Sequence, residues 1–399
     1  MLGAWAATPP RWVPADVGDD WVALMHRPVV QRALLPDPLL IEQVEVLQVG
    51  DQYLVRVRTR DGAEGLAAAN PRTMRVSYPI LLERIVPVFV GRDARDLEAL
   101  LEDAYVYQSN YKWQGLPFWS SLAALEFAVL DLLGKAAGVS VGTLLGGVKR
   151  SDIAVYHASE KRGNTPEAEI EYLQKLVERI GNKALKFRLG ARMRYDADST
   201  RRDKALIPLA RKVFGDDATL YADANGSYDV KLGIEIGRLM EDYGYAFYEE
   251  PCPFDHYEET YAVARKLRMP VALGEQESSL RRFVWLAQHR IVDILQPDLL
   301  YFGGLIRSIR VSYMADRAGI PCTPHMSGNG MGFLYVLHFA ACVNNPGPFQ
   351  EYKGDSEIPV QAVGTTLLPV QGMIRVPEGP GLGVEIDPGY VARGKALVL

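Results

Sequence analysis

Asp223, Glu249 and Glu275 stand 26 residues apart and 26 again, each closing a short apolar or aromatic run: TLYAD, YAFYE and PVALGE. The beat continues with Asp298 after IVDILQP, His325 after IPCTP and Glu351 after GPFQ, at steps of 23, 27 and 26. Three carboxylates brought together supply hard oxygen ligands for a small dication that keeps positions for water and substrate oxygens. That suits Mg2+, with Mn2+ as a substitute. Singly, an acidic residue at a strand end more often caps the next helix or pairs with Lys or Arg. Three in step favour the metal. A calcium-loop reading of DANGSYD fails, because Ser227 and a missing Glu break the pattern.

Lys186 and Arg188 in KALKFRLG are two apart, so on a strand they share one face. A cation beside a metal holds a substrate carboxylate, and a lysine there with a depressed pKa takes a proton. Asp298 and His325 end successive runs. An Asp that holds one imidazole nitrogen fixes the tautomer and raises the basicity of the other. Glu351 offers a proton-donating carboxyl or a lid contact. His157, on the first strand-like run of this half, and Asn225, two after Asp223, are further candidates to reach the same place.

These residues need a scaffold with one mouth. A strand-then-helix repeat of about 25 to 30 residues is the period of a (β/α) barrel, in which every strand's C-terminal end opens on the same rim. From IAVYHAS (153–159) onward the chain alternates strand-like runs (KALKFRL, ATLYAD, AFYEE, PVALGE, IVDILQPD, IPCTPH) with helical ones. Six or seven such units fit between 150 and 352. Residues 1–148 read as an α+β domain. LLIEQVEVLQVG, QYLVRVRTRDG and EGLAAAN form a meander, and SYPILLERIVPVFV, DLEALLEDAYVY (from an Asp cap) and WSSLAALEFAVLDLLGKA form helices. Residues 353–399, rich in Gly and Pro, read as a segment completing this first region. Gly303-Gly304 permits a tight turn, with phosphate binding the weaker alternative, and GNGMG (328–332) reads as flexible backbone near the mouth.

The 399 residues carry a formal net charge of −5, which leaves no electrostatic footprint for nucleic acid. No apolar run is expected to reach the roughly 18 residues of a membrane span. MLGAWAATPPRW lacks a signal-peptide pattern, and three cysteines are too few for a disulfide framework. A cytoplasmic setting is expected.

The chain resembles the enolase superfamily, and within it the mandelate racemase-like group with its many acid-sugar dehydratases. The resemblance rests on LEFAVLDLLGKAAGVSVGTLLGG at the end of the capping domain, Lys186-Phe187-Arg188 at the K-x-K motif, Asp223 in DAN, Glu249 in YEEP, Glu275 in GEQ, Asp298 in QPD, His325 in TPHMSG and Glu351 in QEY. It implies a modified (β/α)7β TIM-like barrel over 149–352 with an α+β capping domain over 1–148, completed by 353–399. It implies one Mg2+ per subunit on Asp223, Glu249 and Glu275, and catalytic roles for Lys186, Arg188, Asp298, His325 and Glu351. One departure stands out: Arg188 replaces the group's second Lys, often a general base, and Arg stays protonated at neutral pH.

The expected reaction is dehydration of a sugar acid, an aldonate or aldarate. His325, or alternatively Lys186, takes the proton α to the carboxylate, the metal stabilises an enediolate, and loss of the β-hydroxyl gives a 2-keto-3-deoxy acid. A Lys or His base working with Mg2+ is the general scheme of this superfamily and comes with the resemblance. A racemase or epimerase of a 2-hydroxy acid would share the same enediolate. The expected partner is a small carboxylate, with no nucleic acid or membrane and a homo-oligomeric assembly. His26 and Trp113 in the capping region, together with His157 and Asn225, are expected to contact the substrate.

Overall fold

In the computed structural model, which describes residues 19–111, 115–181, 183–328 and 330–399, the alternating segments of the first region do pair. β1 (Ile41–Val49) and β2 (Gln52–Thr59) form a hairpin through Gly50-Asp51, and β3 (Glu64–Ala69) lies antiparallel to β2. The small residues of β3 let the helix Leu116–Ala137 lie close: a Cβ on Gly65 would stand 2.0 Å from the Ala128 carbonyl oxygen. That 22-residue helix is long and apolar enough to cross a membrane, which corrects the expectation that no run reaches that length. Its residues 118–134 are all buried against the sheet and neighbouring helices, so packing accounts for its apolar surface. The helix Leu97–Val106 forms, but Asp96 makes no side-chain cap; Asp93 instead accepts from the Arg95 amide.

The barrel strands are β4 (Asp152–Ala158), β5 (Ala184–Arg188), β6 (Thr219–Asp223), β7 (Phe247–Glu249), β8 (Val271–Leu273) and β9 (Ile294–Leu295), all parallel in chain order. The extended stretch 322–325 continues the sheet through bridges Leu295–Cys322 and Asp298–His325, and β10 (Gln350–Tyr352) closes it onto β4. A helix follows each strand but the last, which is the (β/α)7β order. Strand alternation divides the side chains. Leu185, Phe187, Leu220, Ala222 and Tyr248 face the helices. Tyr156, Tyr221 and Phe247 fill the interior, with the last two rings stacked at 4.0 Å. Above that aromatic layer, the inward positions of β5–β7 turn from apolar to charged.

Two buried side chains are prominent among the joints that tie the barrel to the rest. The buried Glu126 carboxylate, from the helix Leu116–Ala137, accepts from the amides of Leu305 and Ile306 at 2.6 and 2.9 Å, the free N–H groups at the start of the barrel helix Leu305–Ala318. Burial raises its pKa to about 8, and those two amides pull the other way. Gly304 (φ 102°) makes room: a Cβ there would stand 1.4 Å from Glu126 Oε2. The Gly303-Gly304 turn thus serves an internal carboxylate, and the phosphate alternative falls away because that anion position is filled. His338 forms another joint, accepting from the Gly142 amide at 3.3 Å and donating to the Leu382 carbonyl at 3.0 Å. The C-terminal segment adds Lys395–Ala396 to the edge of β1 and lays Met373–Arg375 along β4.

Candidate active site

The register of β5, β6 and β7 sets Arg188 beside Asp223 and Asp223 beside Glu249 at the barrel's C-terminal rim. Lys186 lies one inward position below Arg188 and is fully buried. Its ammonium sits 2.6 Å from Glu249 Oε2 and 3.0 Å from Glu351 Oε1. Burial alone would push its pKa down, but those two carboxylates outweigh burial and hold it above the ordinary lysine value. Arg188 donates through Nε to the Ser159 carbonyl at 2.9 Å, pairs with Asp223, and lies 3.6 Å from Glu351. Neither cation is loose.

The opposite side of the rim carries the imidazole. Asp298 Oδ1 accepts from the amides of Leu300 and Tyr301, both at 2.8 Å, and from the Ser327 hydroxyl at 3.0 Å. These donors leave Oδ2 for His325 Nδ1, 2.6 Å away. An acceptor at Nδ1 selects the Nδ1–H tautomer and leaves the Nε2 lone pair facing the cavity. Burial, followed by the Lys353 ammonium, holds the His325 pKa well below its ordinary value, so the ring is neutral.

Several carboxylate oxygens between these two walls lack donors. Glu249 Oε1, Glu275 Oε2 and both Glu250 oxygens are buried without a hydrogen bond. Glu275 Oε2 stands 3.2 Å from His325 Nε2, and one ligand atom from each of Glu249, Glu275 and His325 falls within 4.8 Å of the others. Burial, then the Glu249 charge, pushes Glu275 up to about 7. Burial, then Glu275 and Glu249, pushes Glu250 well above the usual range. Among the described residues, six buried carboxylates (Asp223, Glu249, Glu250, Glu275, Asp298, Glu351) face three cations, Lys186, Arg188 and Lys353. Orphaned buried carboxylate oxygens and an excess of negative charge are what a hard dication would relieve. The donor set therefore fits Mg2+. The Asp223 carboxylate is taken up by Arg188 and by the Asn225 amide at 2.7 Å, so it is not part of the tightest cluster.

The other expected contacts divide. Asn225 is at the rim with a left-handed backbone (φ 42°), and its side-chain oxygen accepts from Arg162, a residue without a sequence signal. His157 is turned away. It neighbours the inward Tyr156, so alternation points it outward, where its ring meets Tyr352 edge-on at 5.9 Å. His26 is also misplaced. It ends the helix Asp19–His26, ahead of the sheet, and lines a cavity with Trp119, Ser279 and Arg307 that includes none of the catalytic candidates. Trp113 lies outside the described residues. Among the described capping residues, Asn70 donates to the Ser327 carbonyl at 2.8 Å, and Gln52, the first residue of β2, bonds Glu357. Gly328 and Gly332 of GNGMG line the small pocket beneath them.

Reasoning from strand ends misses Lys353. Its ammonium donates to the Met326 carbonyl and lies 3.2 Å from His325 Nε2 and 3.5 Å from Glu351 Oε1. The signal is present in QEYKG: two residues after Glu351, on a strand, is the same face. Glu351 itself accepts from the Met326 amide at 3.0 Å. Burial would push its pKa up, yet the Lys186 and Lys353 ammonium groups outweigh it and hold the group well below the carboxylate range.

Comparison with known proteins agrees with this architecture. Residues 168–390 match the family described as enolase C-terminal domain-like, and residues 38–146 match the mandelate racemase / muconate lactonizing enzyme N-terminal domain. The chain is 27% identical over 338 residues to arabinonate dehydratase of Saccharolobus solfataricus, covering 84% of this chain and 87% of that protein. It is 29% identical over 309 residues to D-galactarolactone cycloisomerase of Agrobacterium fabrum, covering 75% and 79%. A mandelate racemase/muconate lactonizing protein from Paracoccus denitrificans, solved complexed with magnesium, is 28% identical with a TM-score of 0.82, over 90% of this chain and 99% of that one. Barrel, cap and family matches coincide, and the chain belongs to the enolase superfamily, in its mandelate racemase/muconate lactonizing enzyme group.

Proposed function

We propose that this protein is a Mg2+-dependent dehydratase of a sugar acid, an aldonate or aldarate, yielding a 2-keto-3-deoxy acid. The observation that carries the reading is His325, held through Nδ1 by Asp298, with Nε2 turned toward a buried carboxylate oxygen, Glu275 Oε2, that has no donor. Asp223, Glu249 and Glu275 would hold the dication, which supplies Lewis-acid stabilisation of the charge that develops on the substrate carboxylate. Arg188, at the rim, anchors that carboxylate, and Lys186, buried beneath it, adds a fixed positive charge. His325 Nε2 removes the proton α to it, and the electron pair moves onto the carboxylate oxygens, opposite the fixed cations. The C3–O bond then breaks, water leaves, and the enol tautomerises to the ketone. The arabinonate dehydratase relative supports this class of substrate.

Two contacts favour His325 over Lys186 as the base. Lys186 is closed between Glu249 and Glu351, as suits a permanent cation. Arg188 occupies the position from which a second base would work, so a two-base racemase loses its partner on that face. The test is incubation of the Mg2+-loaded protein with aldonic and aldaric acids of five and six carbons, followed by an assay for 2-keto acid. Turnover that disappears with chelator and returns with Mg2+ is expected. α-Deuteration in D2O with both epimers formed and no keto acid would establish the racemase instead, and no reaction across the panel would remove both readings.

A further inference from the structure

Resting on the dehydratase reading, we propose that Lys353 is a second catalytic residue on the His325 face: it contacts the substrate's C3 oxygen and protonates it as it leaves. An elimination needs an acid as well as a base, and the other candidates are committed. Glu351 Oε2 accepts from the Met326 amide, while its Oε1 stands 3.0 Å from Lys186, 3.5 Å from Lys353 and 3.6 Å from Arg188. That is the environment of a structural anion, not of a proton donor. Lys186 is sealed below the rim with no exposed side-chain surface. Asp298 is occupied beneath the imidazole by two amides, a hydroxyl and Nδ1.

Lys353 differs from all of these. Its carboxylate neighbour is 3.5 Å away, and its close contacts are a backbone carbonyl and the very nitrogen proposed as base, 3.2 Å from Nζ. A substrate whose C2–H points at Nε2 has to enter where that contact now lies. The ammonium then meets the next polar atom along the same face of the substrate, the oxygen on C3. The step balances. His325 Nε2 takes the proton from C2, and the C3–O bond breaks with its electron pair going to oxygen. Lys353 gives that oxygen a proton, and water departs. The imidazolium and the amine, left side by side, exchange the proton across their contact and both groups return to their starting states.

Lys353→Met and Lys353→Arg, prepared with Mg2+ and tested on the panel acid that wild type turns over fastest, separate the roles. Two readouts are needed: keto-acid formation, and α-deuterium wash-in from D2O into recovered substrate. In Lys353→Met, keto-acid formation is expected to fall about 100-fold or more, the usual worth of a positioned acid, with wash-in falling less than about 10-fold. Lys353→Arg keeps a cation that does not release its proton, so KM is expected to recover while kcat stays low. Equal losses of both readouts in Lys353→Met would reduce Lys353 to a support for the Met326 loop. Full keto-acid formation in either variant would overturn the proposal while leaving the dehydratase reading intact. A wild type that exchanges the α-proton without forming keto acid, or that is inert on the whole panel, would remove the dehydratase reading and the role of Lys353 together.

Discussion

Glu126 and Glu275 are both carboxylates shut away from water, and they are held in opposite ways. At the joint between cap and barrel, Glu126 receives two backbone N–H groups from the helix it caps. At the mouth, Glu275 Oε2 receives none. The histidines repeat the contrast. His338 has a backbone partner on each ring nitrogen, whereas His325 has Asp298 on one nitrogen and a displaceable lysine on the other. Burial is common to both regions, so burial does not mark function. What sets the mouth apart is a cluster of buried carboxylate oxygens, on Glu249, Glu250 and Glu275, whose partner must come from outside the chain.

The contrast is open to direct attack. The largest effect is expected from His325→Asn, which should cut keto-acid formation by about 10³–10⁴-fold, near the upper end of general-base contributions, without moving the urea midpoint. Unchanged activity would remove His325 as the base. Next, Glu126→Ala should lower stability by about 2–4 kcal/mol, the sum of a lost cap and two unsatisfied buried amides. The protein that remains folded should turn over substrate as before, a point that urea titration and an assay below the transition check together. Third, Glu275→Gln removes a charge that has no donor, so the metal-free variant should be no less stable than metal-free wild type. Wild type should gain about 2.7 kcal/mol at a Mg2+ concentration 100 times its Kd, and the variant should lose that gain. A variant that kept it would take Glu275 out of the ligand set.

The smallest effect concerns pH at the joint. Burial holds the His338 pKa at about 4, below the ordinary histidine value of 6.5. The unfolded chain therefore takes up a proton that the folded chain refuses. Stability from this group is complete above pH 6.5 and falls as pH drops toward 4, by up to about 1.4 kcal/mol per pH unit. Urea midpoints between about pH 7 and 5 should show a shallower slope in His338→Gln than in wild type.

Much of the site is readable because a barrel converts spacing into position. Once the 26-residue beat is taken as strand plus helix, Asp223 and Glu249 must lie side by side, and β6 and β7 place them in register. The same logic fails where spacing carries no direction. His157 sits on the right strand but one residue out of phase with the inward Tyr156. His26 belongs to a helix ahead of the sheet, and nothing in its neighbours' types reveals which side of the barrel that helix packs on. Lys353 escapes a search confined to strand ends, although its two-residue offset from Glu351 obeys the rule that pairs Lys186 with Arg188. Glu126 gives no signal, since a carboxylate inside an apolar helix resembles any buried acid until its target, 179 residues away, is known.

By itself the sequence determined which chemistry is possible here: acidic strand ends at a fixed period, an Asp and a His one repeat apart, and an Arg in place of a base. Those are facts of residue type and of the backbone's two periodicities, and both are local. Only the tertiary structure decided which charges cancel and which are left over. Lys186 is spent on Glu249 and Glu351, and Arg188 on Asp223, while Lys353 is brought to the imidazole. Charge pairing depends on distances of a few ångströms between residues far apart in the chain, and only the packed barrel fixes those.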